Sequence, residues 1–522
     1  MEEVVSGANT PEKDPEGSWS PKTGFGRFLD RYFHISERGS SILKELLGGL
    51  VTFLAMFYIL PLNSNMLSSD WAGLAGEAAA NVRIADGVSQ ILIYGDVWAS
   101  FDEVRAAVFA ATAISAALTT ILMGLYGKLP VGLASGLGIN SLIAFTVMLN
   151  MGMNFAQSMA IVFVDGVLFL IISITPLRAW IVRSIPKSLK FAISSGIGFF
   201  IAFIGLQNMG IIANNDATLV GLGDFKNPAV LVGLFGIVLV LVLSSLPQKN
   251  KFLFWVNKFS VIIAIVIVAI LAATLGECGI GMDPNAGKTL CTFWNDSYSL
   301  SSIGNISKIF GSCFFGFDVF LNPMAYALTF SLLFVDFFDT AGTLVGVEAG
   351  AGMINQRGEL LINDKPAMIV DAIGTVAGSI CGTTTVTSFV ESTTGVAAGA
   401  RTGLAAVSTG LLFALSLLIY PLLSMFSASA VTGLALVYVG VCMFKNLENL
   451  EWKDWVSVAS GFITALFMCV AYSISDGIAM GFIAYTVMRL ASFKFKKEDI
   501  PVAICAVAFI VLYIVKYATH LA

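Results

Sequence analysis

Residues 331–343 read SLLFVDFFDTAGT, with two aspartates, Asp336 and Asp339, inside a run otherwise apolar enough to cross a membrane. Three residues apart on a helix, the two carboxylates share nearly one face, and Thr340 and Thr343 carry that face on by one and two turns. A charged side chain at a bilayer centre costs at least about 2.5 kcal/mol on insertion scales, so such residues face a cavity or a partner rather than lipid, and mark a substrate or proton pathway. The helix reads as one wall of a transport site.

The rest of the 522 residues is of the same kind. Hydrophobic residues make up 57% and charged residues only 12%, where soluble domains carry about 25% charged. This is a polytopic membrane protein in a lipid bilayer. The formal net charge of -5 is spread over loops and tails and identifies no partner, and nothing supports nucleic-acid binding. Seven cysteines without a CxxC pair and two histidines, His34 and His520, give no metal cluster and no His-based catalytic set. No nucleophile and base fall together in a plausible site, so an enzyme is the weakest reading.

Upstream, residues 1–43 are polar, lack the apolar core of a signal peptide and read as a cytoplasmic tail. Apolar runs predict spans over 46–67, 106–126 and 155–177, a fifth entered at Pro186 and ending near 212, and further spans over 229–246 and 254–275. After the aspartate span, 326–347, come 368–380, 404–420, 430–444, 456–472 and 477–490. The connection 68–104 is long enough for a short surface helix. Basic residues at 178–190, with Lys249, Lys251, Lys258, Arg357 and Lys365, place those turns inside and the amino terminus with them. Residues 276–324 then lie outside, with Cys278 and Cys291 open to a bridge or to two free thiols, and with sequons at Asn295 and Asn305.

Two segments break the pattern. LPVGLASGLGINSLIAFTVM at 129–148 carries Pro130 and glycines at 132, 136 and 138, which fits an extended piece followed by a half-helix from Gly138. Non-helical backbone at that depth is tolerated only where protein or a water-filled cavity surrounds it. Asn140 falls in the first turn of the half-helix, near free N–H groups and the positive dipole end. In GTTTVTSFVESTTGVAA at 382–398, the alternation from Thr383 to Val390 resembles a short strand, and Glu391 stands where a second half-helix begins. Paired interruptions in corresponding positions of two halves point to a midplane site in an inverted-repeat transporter. The expected fold is therefore an all-α polytopic membrane protein of about 14 transmembrane segments in a seven-plus-seven inverted repeat. A terminal run, 501–516, is one segment too many, so either the break at 473–477 makes a re-entrant V or this run lies outside the repeat.

GLGIN at 136–140, SLLFVDFFDTAGTLVGV at 331–347 and TTTVTSFVESTTGVAAGARTGLAA at 383–406 resemble, in sequence and spacing, the signatures of AzgA-like purine permeases within the nucleobase and ascorbate transporter superfamily. The similarity runs over roughly residues 44–490. It implies a purine nucleobase substrate (adenine, guanine or hypoxanthine), proton-coupled symport, an elevator-type movement and a possible homodimer, in a plasma (inner) membrane. It also implies a core domain from 44–177 and 326–426, a gate domain from 178–276 and 427–522, and an external loop over 277–325. The purine-holding positions of the family match Asn140, Asp336 and Glu391, and Asp339 matches a position implicated in the cycle. Gly138, Thr387 and Phe389 are further binding candidates. The chain departs from the family in its longer 68–104 connection and in Ser141-Leu142 where Ala-Phe is frequent.

The chemistry of these groups agrees. Purine N–H donors suit ionised Asp336 and Glu391, at about 1.5–3 kcal/mol per charge-assisted bond. Asn140 both donates and accepts, and free N–H groups at the two half-helix ends suit ring nitrogens or a carbonyl. Phe145, Phe334 and Phe389 are candidates for stacking, although aromatic residues in membrane proteins more often serve packing. Neighbouring carboxylates can share one proton, so Asp339 or Glu391 is the expected coupling group, with no cofactor; a structural hydrogen bond is the plainer role for Asp339. Sodium suits the same carboxylates and broken-helix carbonyls. The alternatives are a uracil or xanthine transporter, or an anion exchanger or channel on a related architecture, against which two acidic residues at the site argue.

Overall fold

Most helices of this chain are apolar on all sides, so burial in protein and lipid rather than a single amphipathic stripe holds them. The computed structural model describes residues 23–68, 81–85, 88–175, 187–215, 218–247, 250–281, 290, 299–351, 365–426, 428–444, 447, 448, 450–472 and 474–521. Most of the basic connection 178–190, and Lys249, Cys291, Asn295, Arg357 and most of the N-terminal tail, lie outside them.

Helix α1 (Gly24–Phe33) starts at Thr23, whose hydroxyl accepts from Gly26 N. It docks through Phe33 and Ile35 on Leu404, and Arg38 donates to the Lys128 and Arg401 carbonyls. The first span is α2 (Ile42–Met56) and α3 (Ile59–Leu67), a path expected to be continuous but broken at Phe57 and Tyr58. Pro61 has no N–H for the Phe57 carbonyl, which instead accepts from Leu60 N at 3.2 Å. The described part of the next connection holds no surface helix. It is a three-stranded antiparallel sheet of β1 (Val82–Ala85), β2 (Val88–Tyr94) and β3 (Val97–Ser100), with Gly95 at φ +50° turning β2 into β3.

Helix α4 (Phe101–Leu122) is started by a Ser100–Glu103 capping box. The first expected break follows as β4 (Leu133–Ser135) and α5 (Leu137–Ser141), the latter continuing as a π-helix over Leu142–Asn150. Then come α6 (Phe155–Ile174) and α7 (Lys187–Asn208). Gly210, at φ +74°, ends the fifth span earlier than expected and leads into a hairpin of β5 (Ile212–Asn215) and β6 (Leu219–Leu222). Helix α8 (Pro228–Ser244) is followed by α9 (Lys251–Lys258) and α10 (Ser260–Glu277); these part at Phe259, where one unbroken seventh span was expected. The aspartate helix α11 (Pro323–Gly350) precedes α12 (Lys365–Cys381), β7 (Val386–Ser388) and α13 (Ser392–Ala397), the second expected break. The chain closes with α14 (Gly403–Leu415), α15 (Ser429–Phe444), α16 (Trp455–Val470), α17 (Ile474–Ala491) and α18 (Ile500–Leu521).

Among the described residues, six helices are long and apolar enough to cross a membrane, beside shorter apolar helices that include α8, α15 and α16. α6 packs on α12 and α11, and α14 on α2 and α4, while α7 packs on α15 and α16, and α8 on α10 and α15. Glycines let the backbones meet within these sets. A Cβ on Gly205 (α7) would lie 2.7 Å from the Gly433 carbonyl (α15), and one on Gly403 (α14) would collide with the Gly124 carbonyl. Side-chain rings meet between the sets: Phe145 with Tyr472 at 5.8 Å between centroids, and Phe334 (α11) with Phe482 (α17) at 6.3 Å.

Candidate functional site

The two short strands find each other. β4 and β7 pair antiparallel, Leu133 opposite Ser388, Ala134 opposite Thr387 and Ser135 opposite Val386, and all six residues are buried. Gly136 N donates to Thr385 O at 2.9 Å and Phe389 N to Gly132 O at 3.0 Å. A two-stranded sheet still has two outer edges, which an apolar interior cannot solvate. Side chains cover both. On the β4 side, Thr120 Oγ1 donates to Leu133 O and accepts from Leu133 N, each at 2.9 Å. On the β7 side, Asp371 Oδ1 accepts from Ser388 N and Oγ, both at 2.7 Å.

Around this sheet lie the residues named from the sequence. Asn140 is fully buried in α5; its Oδ1 accepts from Ser135 Oγ at 2.9 Å and from Thr384 Oγ1, and its Nδ2 has no partner. Thr387, on β7, shares a 2.8 Å hydrogen bond with Thr340 of α11, and Thr340 Oγ1 donates to Asp371 Oδ2 at 2.6 Å. One turn before Thr340 is Asp336, fully buried, whose Oδ2 accepts from Thr375 Oγ1 at 3.0 Å while its Oδ1 finds no donor. Asp339 is half-buried, within electrostatic reach of Asp371 and Glu391. Glu391 is the N-cap of α13 and accepts from Tyr58 Oη at 2.6 Å, at the break of the first span. Gly138 is buried in the first turn of α5 and Phe389 just past β7.

One expectation is corrected here. The N–H groups at the start of the second half-helix are not free: Ser392, Thr393 and Thr394 N donate to Phe389, Val390 and Glu391 O at 3.2, 3.0 and 2.9 Å. The tight turn that ends β7 consumes them. Of the stacking candidates, Phe145 meets Tyr472, and Phe334 meets Phe330 and Phe482.

Three groups were not singled out from the sequence. Asp371 is a buried carboxylate in an apolar helix, a signal of the same kind as Asp336. Asp165, in α6, is another, and Tyr58 gave no signal distinct from that of a packing aromatic. The site thus offers unpartnered donor and acceptor atoms, at Asn140 Nδ2 and Asp336 Oδ1, beside carboxylates held by hydroxyls, and among the described residues no cluster of His, Cys, Asp or Glu suited to a metal ion.

Comparison with known proteins adds findings of three kinds. A model described as the Permease family matches residues 88–480. The chain is 34% identical to an adenine permease of Escherichia coli over 482 residues, 92% of this chain and 95% of that protein. It is 33% identical to a guanine/hypoxanthine permease of Bacillus subtilis over 484 residues, 92% of this chain and 99% of that one. Among solved structures, the transmembrane domain of a cyanobacterial bicarbonate transporter superposes with a TM-score of 0.51 at 14% identity, covering 84% of this chain and 97% of the other. The murine solute carrier 26 family member A9 anion transporter, in its inward-facing state, gives 0.51 at 12% identity over 92% of this chain and 73% of that one. At such identities the likeness is one of fold alone.

Proposed function

The chain belongs to the permease family, with the motifs of its AzgA-like members, and is a multi-pass membrane transporter rather than an enzyme; from that premise we propose that its substrate is a purine nucleobase, adenine, guanine or hypoxanthine. The observation that carries this is the pair of unpartnered atoms beside the strand pair, Asn140 Nδ2 and Asp336 Oδ1. A donor and an acceptor together suit a planar heterocycle that both donates and accepts. Glu391, tethered by Tyr58, supplies a second acceptor for a ring N–H. An anion exchanged on the same fold would meet three acidic side chains here, Asp336, Asp339 and Glu391, and no cation from them.

The transport cycle we infer has about fourteen segments in two inverted repeats of seven, a core (44–177 and 326–426) moving against a gate (178–276 and 427–522), and a proton as coupling ion. Glycine seams within each set of helices, such as Gly205 on Gly433, and ring contacts between the sets support a division into two bodies. A plasma-membrane location with the amino terminus inside and a homodimeric assembly complete the proposal.

The test is uptake of labelled hypoxanthine into proteoliposomes with and without an inward proton gradient, with unlabelled adenine, guanine, uracil and xanthine as competitors. Gradient-driven accumulation blocked by adenine or guanine but not by uracil, and lost in Glu391→Gln, is the expected result. Folded protein that neither binds nor moves any purine refutes the substrate.

A further inference from the structure

We propose that Asp165 of α6 and Asp336 of α11 share one proton in a carboxylic acid–carboxylate hydrogen bond, and that this pair is the proton-binding station of the transporter. The first part stands on the structure alone; the second rests on the reading of the chain as a proton-coupled purine carrier.

Asp165 is wholly buried, and neither of its carboxylate oxygens has a donor; Asp336, equally buried, has an orphaned Oδ1. An ionised carboxylate in an apolar interior without a single donor is among the costliest arrangements a protein can hold. A single proton on Asp165, donated to one lone pair of Asp336 Oδ1, removes one full charge and gives two of the three orphaned oxygens a partner, while the second lone pair of that oxygen stays open to a purine N–H. Nothing else is consumed: one O–H bond forms when the proton arrives, and breaks when it leaves.

The packing brings α6 and α11 together at the level of the two groups. Gly166, next to Asp165, lets α6 ride directly on α12, where an added Cβ would lie 2.9 Å from Thr375 Cγ2. The hydroxyl of that same Thr375 donates to Asp336 Oδ2. One turn further on, the rings of Phe169 (α6) and Phe337 (α11) meet at 5.8 Å, closing the apolar wall beside the pair. Asp165 is a charged neighbour of Asp336.

The other titratable groups near this place are Asp371 of α12 and Asp339 of α11, both acidic. Asp318, which accepts from Gln157 at 2.9 Å, and Cys313 and Tyr94 belong to elements packed on α6 as well, with Asp318 held at its N-terminal end. Neither α6 nor α11 carries a lysine, arginine or histidine, and α12 has only Lys365 at its start. On these three helices, among the described residues, only Lys365 is a cation. The sequence alone pointed to Asp339 or Glu391 for this role; we assign it instead to the Asp165–Asp336 pair.

Difference infrared spectroscopy of the purified protein tests the pair without any substrate. Wild type at neutral pH is expected to show a protonated-carboxyl stretch that shifts in heavy water and is absent from Asp165→Asn. If the stretch is missing in wild type, or persists unchanged in Asp165→Asn, the pair is refuted. Should Asp165→Asn not yield folded protein, the same spectrum of Asp336→Asn decides: loss of the carboxylate acceptor leaves Asp165 protonated and shifts its band, and a band left in place refutes the pair. For coupling, the readout is the ratio of hypoxanthine uptake with and without an inward proton gradient, expected to fall to about one in Asp165→Asn; an undiminished ratio overturns the assignment. Counterflow of hypoxanthine at equal pH in wild type is the separate control. Its failure sinks the purine reading and leaves the infrared result standing.

Discussion

Replacing Asp371 with alanine and with asparagine separates two uses of a buried carboxylate. In wild type, Asp371 accepts three short hydrogen bonds, from Ser388 N, Ser388 Oγ and Thr340 Oγ1, at 2.7, 2.7 and 2.6 Å. Alanine strands all three donors. Thr340 can turn its proton to Thr387, already 2.8 Å away, but the Ser388 N–H on the strand edge has nowhere to go. One orphaned amide and one hydroxyl in need of a new acceptor, at about 1–3 kcal/mol each, give an expected loss of about 2–6 kcal/mol. Asparagine keeps an oxygen for both Ser388 donors, and Thr340 can accept from the new amide while donating to Thr387, so the loss shrinks to about 1 kcal/mol of charge assistance. Equilibrium unfolding in mixed micelles measures both, with hypoxanthine affinity followed in parallel. An alanine variant within about 0.5 kcal/mol of wild type would refute the idea that Asp371 seals the strand edge. An asparagine variant as damaged as alanine would refute it differently, by showing that the charge matters and the acceptor geometry does not.

Three further outcomes are expected. Tyr58→Phe removes the 2.6 Å bond that holds Glu391, and hypoxanthine binding measured at equilibrium should weaken about tenfold, the equivalent of about 1.4 kcal/mol; unchanged affinity means Tyr58 does not position Glu391. Glu45 accepts from Arg401 N and Thr402 N at 2.9 and 3.1 Å, capping α14 from the first span, so Glu45→Ala should cost about 2–4 kcal/mol on thermal or chemical unfolding, and Glu45→Gln about half as much. Gly205→Ala presses a methyl against the Gly433 carbonyl, and should destabilise α7 on α15 by about 1–3 kcal/mol, with hypoxanthine affinity kept in the protein that stays folded.

The breaks at 129–148 and 382–398 were legible because glycine, proline and polar residues at membrane depth are expensive, and expense narrows what a segment can be. The same argument picked out Asp336, Asp339 and Glu391. It applied equally to Asp165 and Asp371, each a lone carboxylate in an apolar span, and their roles needed partners that only packing reveals: Ser388 and Thr340 for one, Asp336 for the other. Tyr58 was invisible because an aromatic ring in a membrane helix looks the same whether it packs or donates. The break at Phe57 was missed, although Pro61 carries its cause in the N–H it lacks, because the effect is felt one turn upstream of the residue that causes it. The sheet over 82–100 was hidden by the ILIY run at 91–94, which masks the alternation of a half-exposed strand.

The strand pair also dictates an order of events during synthesis. Leu133 and Ser388, partners in the finished protein, leave the ribosome more than two hundred residues apart. For that whole interval β4 is in or beside the bilayer with backbone groups that hydrocarbon cannot satisfy. At about 5–20 residues per second the wait lasts on the order of ten seconds or more. The nascent first half therefore needs a watery or chaperoned berth until β7 emerges, and a chain truncated anywhere before Val386 is a candidate for quality-control destruction rather than a smaller carrier.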